Sequence, residues 1–105
     1  MRSSRAKRKD ANHQQIKTHF ESLGCHVFDI SNLDNCCDLV VSKHLVSVFV
    51  EVKDGKKPPS QRKLTEGERV FCYNIYQKAH WRLCESIDDA NRIYTELFKP
   101  EVKDD

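Results

Sequence analysis

A chain of 105 residues, 38% hydrophobic and 32% charged, has the length of one compact domain and the composition of a soluble globular protein. No window approaches the roughly 18 to 20 apolar residues of a membrane span. The basic start runs into Asp10-Ala11-Asn12-His13-Gln14-Gln15 rather than a signal-peptide core, so a cytoplasmic protein is expected.

The formal charge of +2 hides an uneven layout. Arg2, Arg5, Lys7, Arg8 and Lys9 crowd the start, Lys53, Lys56, Lys57, Arg62 and Lys63 form a second basic run, and acidic residues gather from Glu85 to Asp105. Basic runs of this kind suit a polyanion on one side of the molecule, the alternative being ordinary solvated charge. Five cysteines without a C-x-x-C pair fit neither a secreted disulfide framework nor a zinc ribbon, and reduced thiols are expected.

Residues 1–9 lack apolar periodicity and read as a flexible basic arm. From Asp10, taken as N-cap, Ile16, Phe20 and Leu23 recur at helical spacing and Gly24 follows as a stop, which predicts a helix over 11–23. Strands are predicted over 25–30, from Cys37 to Val41, and from Val46 to Val52. In the third strand, alternation puts Val46, Val48, Val50 and Val52 on one face and Ser47, Phe49, Glu51 and Lys53 on the other.

The loop from Asp54 to Ser60 must leave the sheet, because Pro58 and Pro59 lack ladder donors. Thr65-Glu66-Gly67-Glu68 forms a capping box, and Val70, Phe71, Ile75 and Ala79 supply an apolar stripe for a second helix. Trp81 to Cys84 is strand-like, with Trp81 assigned to the core. Ser86 caps a third helix whose Ala90, Ile93, Tyr94, Leu97 and Phe98 make the clearest amphipathic pattern in the chain. One domain over 10–99 is followed by an acidic tail over 100–105. The order is helix, three strands, helix, strand, helix, which implies an α/β fold with a mixed sheet: a meander of strands one to three and a parallel crossover to the fourth.

Three charges stand where burial discourages them. Asp38 opens the second strand, and Glu51 and Lys53 close the third on one face. Asp38, Glu51 and the Val52 carbonyl together offer part of an oxygen shell for Mg2+ or Mn2+, which keeps its remaining positions for water and phosphate oxygens. Lys53 then stands beside the attacking water, either as a base or as an electrostatic stabiliser, and the set suits phosphodiester hydrolysis. The plain alternative is a strand-end salt bridge, Glu51 or Asp54 with Lys53 or Lys56.

On Asp38, Glu51 and Lys53 the chain resembles the PD-(D/E)XK, or restriction-endonuclease-like, nuclease superfamily. More narrowly, the run from Glu51-Val52-Lys53-Asp54-Gly55 through Pro58-Pro59-Ser60 to Lys63-Leu64-Thr65 is similar to small phage and prophage nuclease-like proteins. The resemblance implies an αβββαβα core and metal-dependent DNA endonuclease activity in the cytoplasm of a bacterial host. Lys56, Lys57, Ser60, Gln61, Arg62 and Lys63, with Arg8 and Lys9, are expected to contact DNA, solvated charge being the alternative; a domain this small is expected to form a homo-oligomer, in which two sites would cut two strands.

Two positions depart from the superfamily pattern. Cys37 stands where the motif has proline. The first helix, where many members carry a glutamate, offers His13 and Gln14 as a contribution to the metal or a bridging water. The second reading is accordingly a catalytically weak or inactive nuclease-fold module that binds DNA or serves in assembly. A cysteine/histidine metal sensor is the third.

Overall fold

A computed structural model describes residues 9–98. The basic positions 1–8, Arg8 among them, and the acidic tail from 100 onward lie outside the described residues. The elements run α1 (His13–Ser22), β1 (His26–Asp29), β2 (Leu39–Lys43), β3 (Val46–Val52), a 3-10 turn (Pro59–Gln61), α2 (Glu66–Ile75), β4 (His80–Cys84) and α3 (Ile87–Leu97).

The four strands form one mixed sheet in the order β1-β2-β3-β4. β1 to β3 are an antiparallel meander, with Val27 opposite Val41 and Val41 opposite Val48, and α2 carries the chain across to β4, which pairs parallel to β3. This is the strand arrangement expected from the spacing of the apolar runs. Among the described residues no helix is long and apolar enough to cross a membrane.

The core lies on one face of the sheet. Val48, Val50 and Val52 of β3, Leu39 and Val41 of β2, Val27 and Cys84 meet Ile16 and Phe20 of α1 and Ala90, Ile93 and Phe98 at α3. Burying each of the larger side chains contributes about 1.5–3 kcal/mol. The α3 stripe is buried as its periodicity predicts, and Ser86 caps the helix by accepting the Asp89 amide at 3.1 Å.

Several boundaries differ from the expectation, each for a tertiary reason. α1 starts at His13 with Asn12, not Asp10, as N-cap, and no side chain caps it. Asn12 instead donates its amide to the carbonyls of Lys53 at 3.1 Å and Glu85 at 3.2 Å, while Asp10 faces the Lys57 ammonium at 3.7 Å. β2 begins at Leu39 rather than Cys37. Its hairpin to β3 turns on His44 and Leu45, both with positive φ, 53° and 68°.

The larger correction concerns α2. Its capping box forms as read, Thr65 Oγ1 accepting the Glu68 amide and Glu68 accepting the Thr65 amide. Its apolar stripe is not core: no residue of the helix is buried, Val70 is exposed, and Ala79 lies beyond the helix end. Phe71 makes the sheet contact, edge to face with Phe49 at 5.5 Å between ring centres. Tyr73 is 81% exposed and Tyr76 is also outward. Trp81 is half-buried rather than core, and its indole nitrogen is enclosed with no hydrogen-bond partner.

Candidate functional site

The face of the sheet turned to α2 carries the charges. Alternation along β3 sends Val48, Val50 and Val52 into the core and Phe49 and Glu51 to the other side, where α2 lies. At the end of this strand β2 and β4 flank β3, and three backbone arrangements fix the geometry.

Asp38 precedes β2 and continues its ladder, donating its backbone amide to the Val50 carbonyl at 3.1 Å. Its carboxylate Oδ2 then takes the next free amide, that of Val52, at 2.8 Å. A side chain thus replaces a strand where the ladder runs out. Because the N–H and C=O of a strand residue point to the same side, the Val52 carbonyl is directed to the side of β3 on which Asp38 stands.

Glu51 is 3% exposed. Burial, then hydrogen bonding to Asp38 and its charge, then the charge and hydrogen bond of Glu68, push its pKa up to about 10. A carboxyl here holds a proton between two other carboxylates.

Lys53 stands just past β3, its amide on the Cys84 carbonyl at 3.1 Å. Its ammonium donates to Glu68 Oε1 at 2.9 Å. Burial works against the charged lysine, but the hydrogen bond and charge of Glu68, then the charges of Glu51 and Asp10, outweigh it and raise the Lys53 pKa. Glu68 moves the other way: burial would raise it, yet the Thr65 amide, Lys53 and the hydrogen bond from Glu51 lower it.

The structure therefore brings Asp38, Glu51 and Lys53 together, and adds Glu68. The salt bridge of Lys53 is to Glu68, not to Glu51 or Asp54. Glu68 was legible only as a cap; its second role follows from Phe71, three residues on and so on the same helix face, which contacts Phe49 of the strand that carries Glu51.

The first-helix candidates are engaged elsewhere. His13 is 2% exposed, with Nε2 on Asp29 Oδ2 at 3.0 Å and Nδ1 enclosed without a partner. Gln14 is exposed and donates to Thr18 at 3.1 Å.

The basic loop is pinned on its outer side. Gly55 donates its amide to the Glu85 carbonyl at 3.0 Å, and a Cβ on Gly55 would stand 2.7 Å from that oxygen, so only glycine allows the approach. Arg62 ties the loop's end, with Nε on the Lys57 carbonyl at 2.7 Å and a guanidinium nitrogen on Glu85 at 3.1 Å. Lys57 faces Asp10, and Lys9 faces Asp29 at 3.6 Å. Lys56, Ser60, Gln61 and Lys63 are exposed. A cleft of about 600 Å3 beside the loop is lined by Asn12, Gln15, Lys56, Arg62, Glu85 and Asp89 among others, and does not include Asp38, Glu51 or Lys53.

Among the described residues no group of three or more His, Cys, Asp or Glu side chains is arranged to hold a metal ion. What the site presents is two hydrogen-bonded carboxyls, Asp38 and Glu51, the second held protonated by burial and by the neighbouring carboxylates, beside a main-chain carbonyl. That partial set fits a hard ion such as Mg2+, which takes one or two carboxylates and keeps water and phosphate oxygens for the rest. No family model, curated protein or solved structure matches the chain.

Proposed function

We propose that the protein is a metal-dependent DNA endonuclease of the PD-(D/E)XK, restriction-endonuclease-like kind, hydrolysing phosphodiester bonds. The observation that carries this reading is the meeting of Asp38 and Glu51 at the ends of adjacent strands, with Glu51 held protonated by burial and then by the carboxylates around it. The order helix, antiparallel meander, helix, parallel strand, helix supports the same assignment. In this reading the enzyme acts in the cytoplasm of a bacterial host, phage or prophage encoded as the sequence resemblance implies, and a domain this small works as a homo-oligomer so that two sites cut two strands.

In this reading Asp38, Glu51 and the Val52 carbonyl hold Mg2+ or Mn2+. When bound, the ion polarises the scissile phosphate and acidifies water. The chain's own contribution is electrostatic and positional. Asp38 is fixed by the Val52 amide and by its hydrogen bond with Glu51, so its carboxylate has one orientation. Lys53 is an ammonium, and it offsets the charge that builds on the phosphate and orients the nucleophile. Lys56 and Lys63, both exposed, hold the nucleic-acid backbone with Ser60 and Gln61, while Arg62 keeps the loop in place.

The test is nicking of supercoiled plasmid by purified protein with Mg2+ or Mn2+. Asp38→Ala, Glu51→Ala and Lys53→Ala each abolish it while leaving a cooperative melting transition. Undiminished cutting by Glu51→Ala sinks the assignment. A second reading, a DNA-binding module that has lost cleavage, is favoured by one observation: His13 and Gln14, which stand in place of a first-helix glutamate, are turned to Asp29 and Thr18. It predicts salt-sensitive binding of duplex or branched DNA with no metal-dependent cutting.

A further inference from the structure

We infer that Glu68 is a positioning residue for Lys53, so that the docking of α2 on the sheet sets the lysine's place in the site; this rests on the nuclease reading above.

Lys53 lies one residue beyond β3, where strand pairing no longer directs its side chain. Its backbone is held, by the Cys84 carbonyl on one side and the Asn12 amide on the other. The ammonium sits on a flexible four-carbon stem, and its recorded partner is Glu68 at 2.9 Å. Geometry that depends on such a stem needs a fixed acceptor.

Glu68 is that acceptor because its carboxylate is itself immobilised. The oxygen that takes Lys53, Oε1, also takes the Thr65 amide at 2.8 Å, while Thr65 returns a bond to the Glu68 amide at 3.2 Å. Moving the carboxylate means opening the first turn of α2. The cap and the ion pair are thus one device on one oxygen.

The helix bearing this device is lightly held. Among the described residues it meets the rest of the fold through the Phe71–Phe49 ring pair, the Lys53–Glu68 pair, the Glu51–Glu68 hydrogen bond, packing beside β4 and Gly67, whose missing Cβ would meet the Asn35 side chain. No residue of α2 is buried. If α2 lifts, Lys53 loses its partner while the core on the far face is untouched.

Glu68→Gln separates the two roles, since glutamine also serves as the third residue of a capping box but presents no charge to the ammonium. Phe71→Ala is the second variant; it loosens α2 without altering either partner. Two readouts are taken: steady-state plasmid nicking with Mg2+, and the rate at which an amine-specific acylating reagent modifies Lys53 in metal-free protein, read by peptide mass spectrometry.

The expected result for Glu68→Gln is a melting temperature near wild type, a fall in kcat of about tenfold or more with little change in KM, and severalfold faster modification of Lys53. Phe71→Ala shifts both readouts in the same direction. Wild-type kcat together with an unchanged modification rate in Glu68→Gln overturns the inference. A wild-type protein that does not cut DNA overturns the nuclease reading instead, and the modification rate still decides the role of Glu68: faster in both variants supports it, unchanged overturns it.

Discussion

The side-chain amide of Asn12 donates to the carbonyl of Lys53 at 3.1 Å, and the same nitrogen reaches the Glu85 carbonyl at 3.2 Å. One amide ahead of α1 thus clamps the ends of two parallel strands at the point where they separate around the loop from Asp54. Asn12→Ala leaves both carbonyls without this donor, and a lost bond of this kind costs about 1–3 kcal/mol. The urea midpoint is expected to fall with an unchanged slope. Asn12→Asp is expected to fall further, because a carboxylate offers no donor and confronts two carbonyl oxygens. Midpoints equal to wild type in both variants would show that the clamp contributes nothing.

Glu51 makes the metal-free protein sensitive to alkali. Its folded pKa is raised, from 4.5 to about 10, so the folded state binds this proton more tightly than the unfolded chain does. The stability it contributes is full below the ordinary carboxylate value and is lost as pH rises through the folded one. Glu51→Gln keeps the shape without the titration. In chelator, at about pH 8, the variant is expected to melt above wild type, and the two curves converge in acid. Added Mg2+ should raise the wild-type melting temperature more than that of the variant. Parallel pH profiles for the two proteins count against the buried carboxyl described here.

Asp29 acts at the other end of the scale. Burial would raise its pKa, but hydrogen bonds from the Ser31 hydroxyl, His13 and the Ser31 amide hold it below the usual value of 3.8. A depressed carboxylate contributes stability above its unfolded pKa and loses it as pH falls toward the folded one. Circular dichroism during acid titration should therefore show wild type losing stability more steeply below that value than Asp29→Asn. An identical acid limb would mean that the Ser31 and His13 bonds do not favour the ionised form.

The β2–β3 hairpin turns on two residues in the left-handed region, His44 at φ 53° and Leu45 at φ 68°. Positive φ at both central positions matches the type I′ turn that two-residue hairpins prefer, but that turn favours Asn-Gly, and an L-residue there costs about 1–2 kcal/mol. Replacing His44-Leu45 with Asn-Gly is expected to stabilise the protein by about 1 kcal/mol, a rise of about 4–8 °C in melting temperature. The turn lies at the opposite end of β3 from Glu51, so the proposed DNA cleavage should be unaltered. A lower melting temperature would mean that the native side chains contribute contacts outweighing their backbone strain.

Much of the fold was legible where periodicity and burial coincide. The α3 stripe from Ala90 to Phe98 and the alternation of Val48, Val50 and Val52 name the core face directly, because one pattern serves both local structure and packing. The capping box at Thr65 and the N-cap at Ser86 mark two helix starts. What escaped was decided by partners distant in sequence. Val70 and Phe71 look alike in a helical pattern, yet only Phe71 finds a ring in Phe49. Asp10 and Asn12 are both good caps, and both are drawn away, one to Lys57 and the other to the Lys53 and Glu85 carbonyls. Alternation puts Glu51 and Lys53 on one face and oxygen-ligand chemistry adds Asp38, whereas Glu68 enters only when α2 is laid on the sheet.

The sheet is asymmetric: α1 and α3 fill one face with the residues that hold the domain together, and α2 covers the other with none buried. The core and the buried charges therefore lie on opposite sides of the same strands. Side chains on α2 and the loop before it can therefore be exchanged without reaching the core. Within β3 the two constraints interleave residue by residue, and there alone a substitution must satisfy both.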